Sequence, residues 1–223
     1  MPITFSFVGI HYSKHAVIPQ NIIALTFDDG PDTLYTPKIL DILKEKNVRA
    51  TFFLIGRKIN KYPEITKRIY EEGHCIGNHT YNHMGLVNVD SNIVKYEVLK
   101  TESLLDSLLG KTTKIVRIPW GKSTKEHDML ITNLGYKIVN WDLDSRDWVQ
   151  EKNTVDDIIK RVVSQAASGK IVLFHSADYS DKGSRIKTIK ALPKIIDELR
   201  AKNYKFVTIK KLFKTCNKQA TTL

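Results

Sequence analysis

Two adjacent carboxylates, Asp28 and Asp29, close an apolar run at 22–27 and are followed at once by the turn formers Gly30 and Pro31. Alone, Asp-Asp-Gly-Pro reads as an ordinary turn, because Asp favours turns and Gly-Pro ends strands. Further on, His79 and His83 stand four residues apart in His-Thr-Tyr-Asn-His. One carboxylate with two imidazoles is a three-ligand set that leaves a position open, as a hydrolytic metal centre requires. A spacing of four turns both rings to one side if the segment is helical; the bland alternative is a solvent-facing turn. Arg117 before Pro119-Trp120-Gly121, Asp144 with Asp147-Trp148, and His175 after an apolar run complete the candidates. Each has a plain structural alternative too: a salt bridge for Arg117, core packing for His175, Trp148 and Leu173.

Strands must deliver these groups. Residues 22–27 are apolar and rich in β-branched side chains, which predicts a buried strand with Asp28 and Asp29 at its C-terminal end. Thr36 as N-cap and Pro37 as first helical residue predict a helix with Ile39, Leu40, Ile42 and Leu43 on one face, ending near Lys46-Asn47. The unit then recurs. Residues 50–55 read as a strand, with a helix from Gly56 to about Glu72; 74–77 read as a short strand leading into the histidines. Helices at 92–109, 124–134 and 154–167 alternate with strands at 114–118, 136–141 and 171–174. A final helix at 186–202, with Pro193 in its first half, precedes a closing strand at 204–209. Seven or eight β/α units predict an α/β fold with a parallel sheet, either a barrel or a doubly wound sheet. The candidates fall after at least five strands, which favours a barrel of seven or eight β/α units, with its site at the strand C-terminal ends, over a sheet with one switch point. We place one domain at 21–214, an arm or extra strand of no assigned function at 1–20, and a frayed tail at 215–223.

The 223 residues are 42% hydrophobic and 26% charged, ordinary for a globular chain with a proper core. A net charge of +11 suits association with polyanions without choosing among them. No Arg-rich run interleaves with aromatics, so a solvated basic surface is expected rather than nucleic-acid binding. The two cysteines, Cys75 in a predicted strand and Cys216 in the tail, are not expected to pair. The apolar residues near Ile3 to Ile10 are interrupted by polar ones and lack a preceding basic segment, so neither a membrane span nor a complete signal peptide is visible.

In order, the candidates stand in Thr26-Phe27-Asp28-Asp29-Gly30, His79-Thr80-Tyr81-Asn82-His83, Arg117-Ile118-Pro119-Trp120-Gly121, Asp144-Ser145-Arg146-Asp147-Trp148 and Leu173-Phe174-His175. In this the chain resembles polysaccharide deacetylases of the NodB-homology type, carbohydrate esterase family 4. Their motifs read TFDDG, H-[ST]-x-x-H, R-x-P-x-G, D-x-x-D-W and L-x-H. Any one is weak; five in register over residues 22–209 are specific. The flanks GHCIGNHTYNH and ALPKII resemble the branch that includes peptidoglycan and chitin deacetylases.

The resemblance implies an irregular (β/α)7–8 barrel and hydrolysis of N-acetyl groups, a reaction that needs a nucleophilic water, a polarised carbonyl and an acid for the departing nitrogen. It makes Asp29, His79 and His83 ligands of one divalent ion, zinc first, with cobalt or another divalent ion as the alternative. Asp28 becomes the general base, and Arg117 its partner, which aims it. His175 becomes the general acid, oriented and raised in pKa by Asp147. Leu173 and Trp148 would line a pocket for the acetyl methyl, and the Trp120 backbone N–H would help hold the oxyanion. Ser176 stands where many relatives have Asp, and Trp120 where Tyr is frequent; neither change removes a group the chemistry needs.

The leading expectation is a metal-dependent N-deacetylase acting on a cell-wall polysaccharide, peptidoglycan first and chitin-type oligosaccharides second. A monomer in the cell envelope or secreted is the matching expectation. The competing readings are an inactive carbohydrate-binding module on the same barrel and a metal phosphoesterase, the latter wanting ligands for a second metal that are not evident.

Overall fold

The computed structural model describes residues 21–110 and 113–220, with 216–220 as backbone alone. The arm expected at 1–20 lies outside the described residues. In chain order the elements are β1 (Ile22–Asp28), α1 (Thr36–Glu45), β2 (Thr51–Leu54), α2 (Gly56–Lys61), α3 (Pro63–Glu71), β3 (Cys75–Asn78), α4 (Ser91–Leu109) and β4 (Ile115–Val116). A 3₁₀ turn (Pro119–Gly121) leads to α5 (Lys125–Asn133), β5 (Lys137–Ile138), β6 (Leu143–Asp144), α6 (Val155–Gln165), β7 (Ile171–His175), α7 (Ile186–Ala201), β8 (Lys205–Phe206) and α8 (Ile209–Ala220).

The strands pair in parallel in the order β5-β4-β3-β2-β1-β7-β6, with β8 also on β1. This is the expected irregular (β/α) barrel, and among the described residues no ladder joins β5 to β6. β1 is its centre. It pairs with β7 from Ala24 to Asp28, with β2 at Thr26 and Phe27, and with β8 at Ile22 and Ile23. β2 begins opposite Thr26, so β8 can take the part of that edge left free at the N-terminal end.

Alternation along β1 sorts its side chains into two environments. Ile23, Leu25 and Phe27 pack outward into the main core with α1 and α7, where Phe27 stacks between Phe52 and Phe174 at 5.1 and 5.5 Å. Each such buried ring contributes about 1.5–3 kcal/mol. Ile22 and Ala24 point inward to a second cluster with Phe53, Ile115 and Val139. Gly77 makes room there: a Cβ on it would stand 2.5 Å from Phe53 Cδ1. The next inward positions, Thr26 and Asp28, are polar and buried. The barrel is thus plugged with apolar side chains below and lined with polar ones toward the strand C-termini.

Several boundaries differ from expectation. Tyr35, not Thr36, is the N-cap of α1; Asp32 Oδ1 accepts from both Tyr35 N and Thr36 N at 2.8 Å, while the Thr36 hydroxyl donates to Ser176 O at 3.1 Å. The helix expected from Gly56 to Glu72 breaks at Tyr62, because Pro63 starts a new one. The strands expected at 114–118 and 136–141 shorten to two residues each, and β6 was not anticipated. The closing strand also shrinks to Lys205–Phe206, and α7 is not the last helix. Ile209 and Leu212 bury themselves in the lower cluster and start α8, which carries helix through Ala220 into the stretch read as a tail. Residues 221–223 lie outside the described residues.

Cys75 is buried and free, and the Cys216 side chain lies outside the described residues. No helix among the described residues is long and apolar enough to cross a membrane.

Candidate active site

Consecutive strand residues point to opposite faces, so two adjacent acids on a regular strand could not both reach one site. Here the chain leaves β1 at Asp28 and turns left-handed at Asp29, with φ of 70°. Both carboxylates are buried and line the same cleft. The histidines converge in a different way from the helix considered above. His79 to His83 follow β3 as a loop, with Thr80 and His83 at φ of 63° and 58°. Left-handed backbone in non-glycine residues costs about 1–3 kcal/mol each and collects where function demands it.

His79 Nδ1 lies 2.7 Å from the Arg117 carbonyl, which can only accept, so Nδ1 carries the proton and Nε2 presents its lone pair. That Nε2 is 3.4 Å from Asp29 Oδ1, and His83 Nε2 is 3.1 Å from the same oxygen. The ligand atoms of Asp29, His79 and His83 all lie within 4.8 Å of one another. Asp29 Oδ1 and His83 Nδ1 are buried without a hydrogen-bond partner. Burial would raise the Asp29 pKa, but the imidazoles of His79 and His83 outweigh it and hold the carboxyl well below its usual range. For His83 burial acts the other way and lowers the pKa, outweighing the raising pull of Asp29. A buried carboxylate facing two imidazoles with an unsatisfied oxygen at the centre fits a divalent cation, and the N/N/O donor set suits zinc and its neighbours.

Two supports stand behind this set. Arg117, fully buried, donates from Nη1 to Asp28 Oδ1 and Thr26 Oγ1 at 2.8 Å each, and from Nε and Nη2 to the Val139 and Asn140 carbonyls. Asp28 Oδ2 is left facing the cleft, 3.7 Å from His79 Nε2. On the other side, the β1–β7 ladder makes His175 the direct neighbour of Asp28. His175 Nδ1 is 2.8 Å from Asp147 Oδ1, and Asp147 Oδ2 accepts from His175 N and the Thr188 hydroxyl. Burial would lower the pKa of His175; the Asp147 charge and hydrogen bond, with smaller contributions from Asp29 and Asp28, raise it to about 9.

The cleft above has a volume of about 440 Å³. Asp28, Asp29, His79, His83, Trp120, Trp148, Leu173 and His175 line it, while Arg117 and Asp147 stand one hydrogen bond behind. Leu173 is buried in the floor, whereas Trp120 and Trp148 are half exposed walls. Trp120 sits at φ of 55° in the turn after β4. Every residue singled out from the sequence is therefore at one place.

The polysaccharide deacetylase family profile matches residues 16–139, more than half of the chain. The chain belongs to the polysaccharide deacetylase family. Among members, a peptidoglycan-N-acetylglucosamine deacetylase of Bacillus cereus is 42% identical over 193 residues, which is 86% of this chain and 68% of the relative. A chitooligosaccharide deacetylase of Azorhizobium caulinodans is 32% identical over 83% of this chain and 91% of its own length. A crystal structure of a peptidoglycan N-acetylglucosamine deacetylase in complex with 4-naphthalen-1-yl-N-oxidanyl-benzamide superposes with a TM-score of 0.82 at 40% identity, covering 86% of this chain and 88% of that one.

The deacetylase motifs do not account for the whole cleft. Trp141, Asp178, Tyr179 and Arg185 also line it, and none was singled out from the sequence. Tyr179 lies in the polar loop after β7, where no periodicity marks it. Its ring stacks on His83 at 4.8 Å and meets Trp120 edge-on at 5.6 Å. Arg185, buried, donates to Ala177 O and Asp178 Oδ2, and Lys58 Nζ reaches Asp178 O and Asp181 Oδ1 at 2.6 Å each. Buried cations thus pin the loop that carries Tyr179. We expect Tyr179→Ala to raise KM for an oligosaccharide by about 10-fold, the loss of one stacked aromatic contact of about 1–1.5 kcal/mol, with kcat and metal content near wild type. Steady-state kinetics beside metal analysis measures this, and an unchanged KM would remove Tyr179 from the substrate surface.

Proposed function

We propose that this chain is a metal-dependent hydrolase that removes N-acetyl groups from N-acetylglucosamine residues of peptidoglycan. The observation that carries the reading is the Asp29, His79 and His83 set with a free carboxylate oxygen of Asp28 on one side and the His175–Asp147 pair on the other. Similarity to named peptidoglycan deacetylases supports the substrate. A basic net charge of +11 is compatible with an anionic wall.

Asp29, His79 and His83 would hold the ion, which when bound makes water acidic and polarises an amide carbonyl. Asp28, aimed by Arg117, takes the proton of the attacking water through Oδ2. His175 gives the leaving nitrogen a proton from Nε2, the nitrogen not committed to Asp147. Adjacent acids divide the labour because Asp29 is committed to the ligand set and Asp28 is not. Leu173 and Trp148 shape an apolar recess for the acetyl methyl, and the Trp120 backbone N–H assists at the oxyanion.

Released acetate should be measured against peptidoglycan, chitooligosaccharides and acetylated xylan. Turnover of peptidoglycan is expected, and preference for chitooligosaccharides would favour the second reading, which the Azorhizobium relative supports. Inactivity on all three would favour a binding module. Metal analysis tests the ligands: the wild type should carry one divalent ion per chain, and His79→Ala and His83→Ala should each lose most of it. Full metal content in both variants would refute the assignment.

A further inference from the structure

We propose that Glu97 is a positioning residue for the imidazole ligands, acting through Asn82; the proposal rests on reading Asp29, His79 and His83 as a metal site. Glu97 lies within α4, outside every motif, and is 1% exposed. Glutamate is almost never buried so fully unless its charge is paired or hydrogen-bonded. Both oxygens of Glu97 are spent on one residue: Oε2 accepts from Asn82 N and Oε1 from Asn82 Nδ2, each at 2.7 Å. Asn82 itself is exposed and immediately precedes His83.

The same loop is gripped from its other side. Gly56 N donates to Thr80 O and Arg57 N to Tyr81 O, both at 2.9 Å, so the first residues of α2 hold the residues between the histidines. That contact needs a glycine: a Cβ at position 56 would stand 2.5 Å from Thr101 Oγ1 and 2.6 Å from Tyr81 Cδ2. Thr101 in turn donates to the Glu97 carbonyl at 3.0 Å. The loop therefore runs between α2 and α4 and is tied to both.

This grip has a job to do. Thr80 and His83 hold left-handed backbone, which a free loop would relax, and His83 Nδ1 has no hydrogen-bond partner to orient its ring. His79 has its own hydrogen-bonded anchor in the Arg117 carbonyl; the His83 ring packs against Tyr179 and Trp120 but has no such anchor on Nδ1, so the backbone beside it sets where the imidazole stands. A carboxylate suits the role because it accepts from two N–H groups at once. Glutamine would turn an NH₂ toward one of those donors and lose that bond. Groups that orient a ligand from behind typically change metal affinity 10- to 100-fold when altered.

The test is metal affinity by chelator competition, with Zn²⁺ and Co²⁺ added to the metal-free full chain. The Co²⁺ absorption spectrum and the thermal midpoint of the metal-free protein are recorded on the same samples. Glu97→Gln should bind both ions about 10- to 100-fold more weakly and alter the Co²⁺ bands, because the geometry at His83 changes. Asn82→Ala, at an exposed position that tolerates truncation, should shift affinity in the same direction by less, since its backbone N–H remains. The double variant should fall short of the sum of the two effects. Wild-type affinity and spectrum in both single variants would overturn the proposal whatever the thermal midpoints, and if Glu97→Gln does not fold, Asn82→Ala decides alone. Failure of the wild type to bind either ion would overturn the site reading beneath it, a distinct result from tight wild-type binding with unaffected variants.

Discussion

Asp28→Asn should lower turnover by about 10²- to 10⁴-fold while the protein keeps its fold and its metal. The amide has the shape of the carboxylate and can still accept from Arg117 Nη1, which lies 2.8 Å from Asp28 Oδ1. Arg117 also retains Thr26 Oγ1 and the carbonyls of Val139 and Asn140, so its hydrogen bonds survive the change. What it loses is countercharge. Burial pulls the guanidinium below its ordinary pKa and Asp28 opposes that, so removing the charge should cost about 3–5 kcal/mol of stability, the usual loss when one partner of a buried ion pair is neutralised. The catalytic loss has a separate origin: Oδ2, the oxygen facing His79 Nε2 at 3.7 Å, becomes a group that cannot take a proton from water. Turnover, metal content and thermal midpoint measured together separate the two effects. Substantial turnover in a folded, metal-loaded variant would sink the assignment of Asp28 as base.

The site was more legible in the sequence than its geometry was. Residue type and order suffice to find Asp28, Asp29, His79, His83 and His175, because chemistry restricts which groups can serve and strand ends are where an α/β chain can present them. How they converge is another matter. A spacing of four suggested a helix for His79 and His83, yet left-handed residues at Thr80 and His83 bend a loop to the same end, and such φ values are not written in Thr or His. Asp29 reaches the site for a like reason. The strand alternation of β1 was hidden as well. Both its faces are buried, so Ile22 to Phe27 read as one apolar run although only alternate residues enter the barrel.

Boundaries failed where tertiary contacts overrode local signals. Thr36 has the character of an N-cap, but its hydroxyl is taken by Ser176 and the capping passes to Asp32. α8 was missed because it is short of apolar residues overall; burial of Ile209 and Leu212 in the barrel base stabilises it. Tyr179 and Glu97 escaped for a shared reason. No local periodicity ties either to its partner: Tyr179 stacks on His83 from another loop and Glu97 reaches Asn82 from α4, so only the folded chain brings them together.

His175 is where catalytic and packing roles diverge most in their consequences. An acid must be protonated when the amine leaves, so activity should fall as pH rises through the His175 pKa. Burial lowers that value, but the charge and hydrogen bond of Asp147 outweigh it, and with Asp29 and Asp28 they bring it to about 9. A cation at Asp29 offsets the contributions of those last two, so the alkaline limb of the loaded enzyme should lie at or somewhat below 9. Asp147→Asn removes the largest raising contribution and should move the limb to lower pH. The stability linkage has the same sign. A folded value above the ordinary 6.5 means the pair stabilises fully below 6.5 and loses that contribution as pH rises through about 9. His175→Ala should cost about 10²- to 10⁴-fold in turnover with metal retained. Its effect on folding should be modest, about 1–3 kcal/mol, because Asp147 keeps its bonds to His175 N and Thr188 and the lost ring borders the cleft. A core residue would differ in the other readout: whatever the fall in thermal midpoint, turnover per folded molecule would stay normal. Normal turnover in His175→Ala, together with an unshifted limb in Asp147→Asn, would remove His175 from the chemistry.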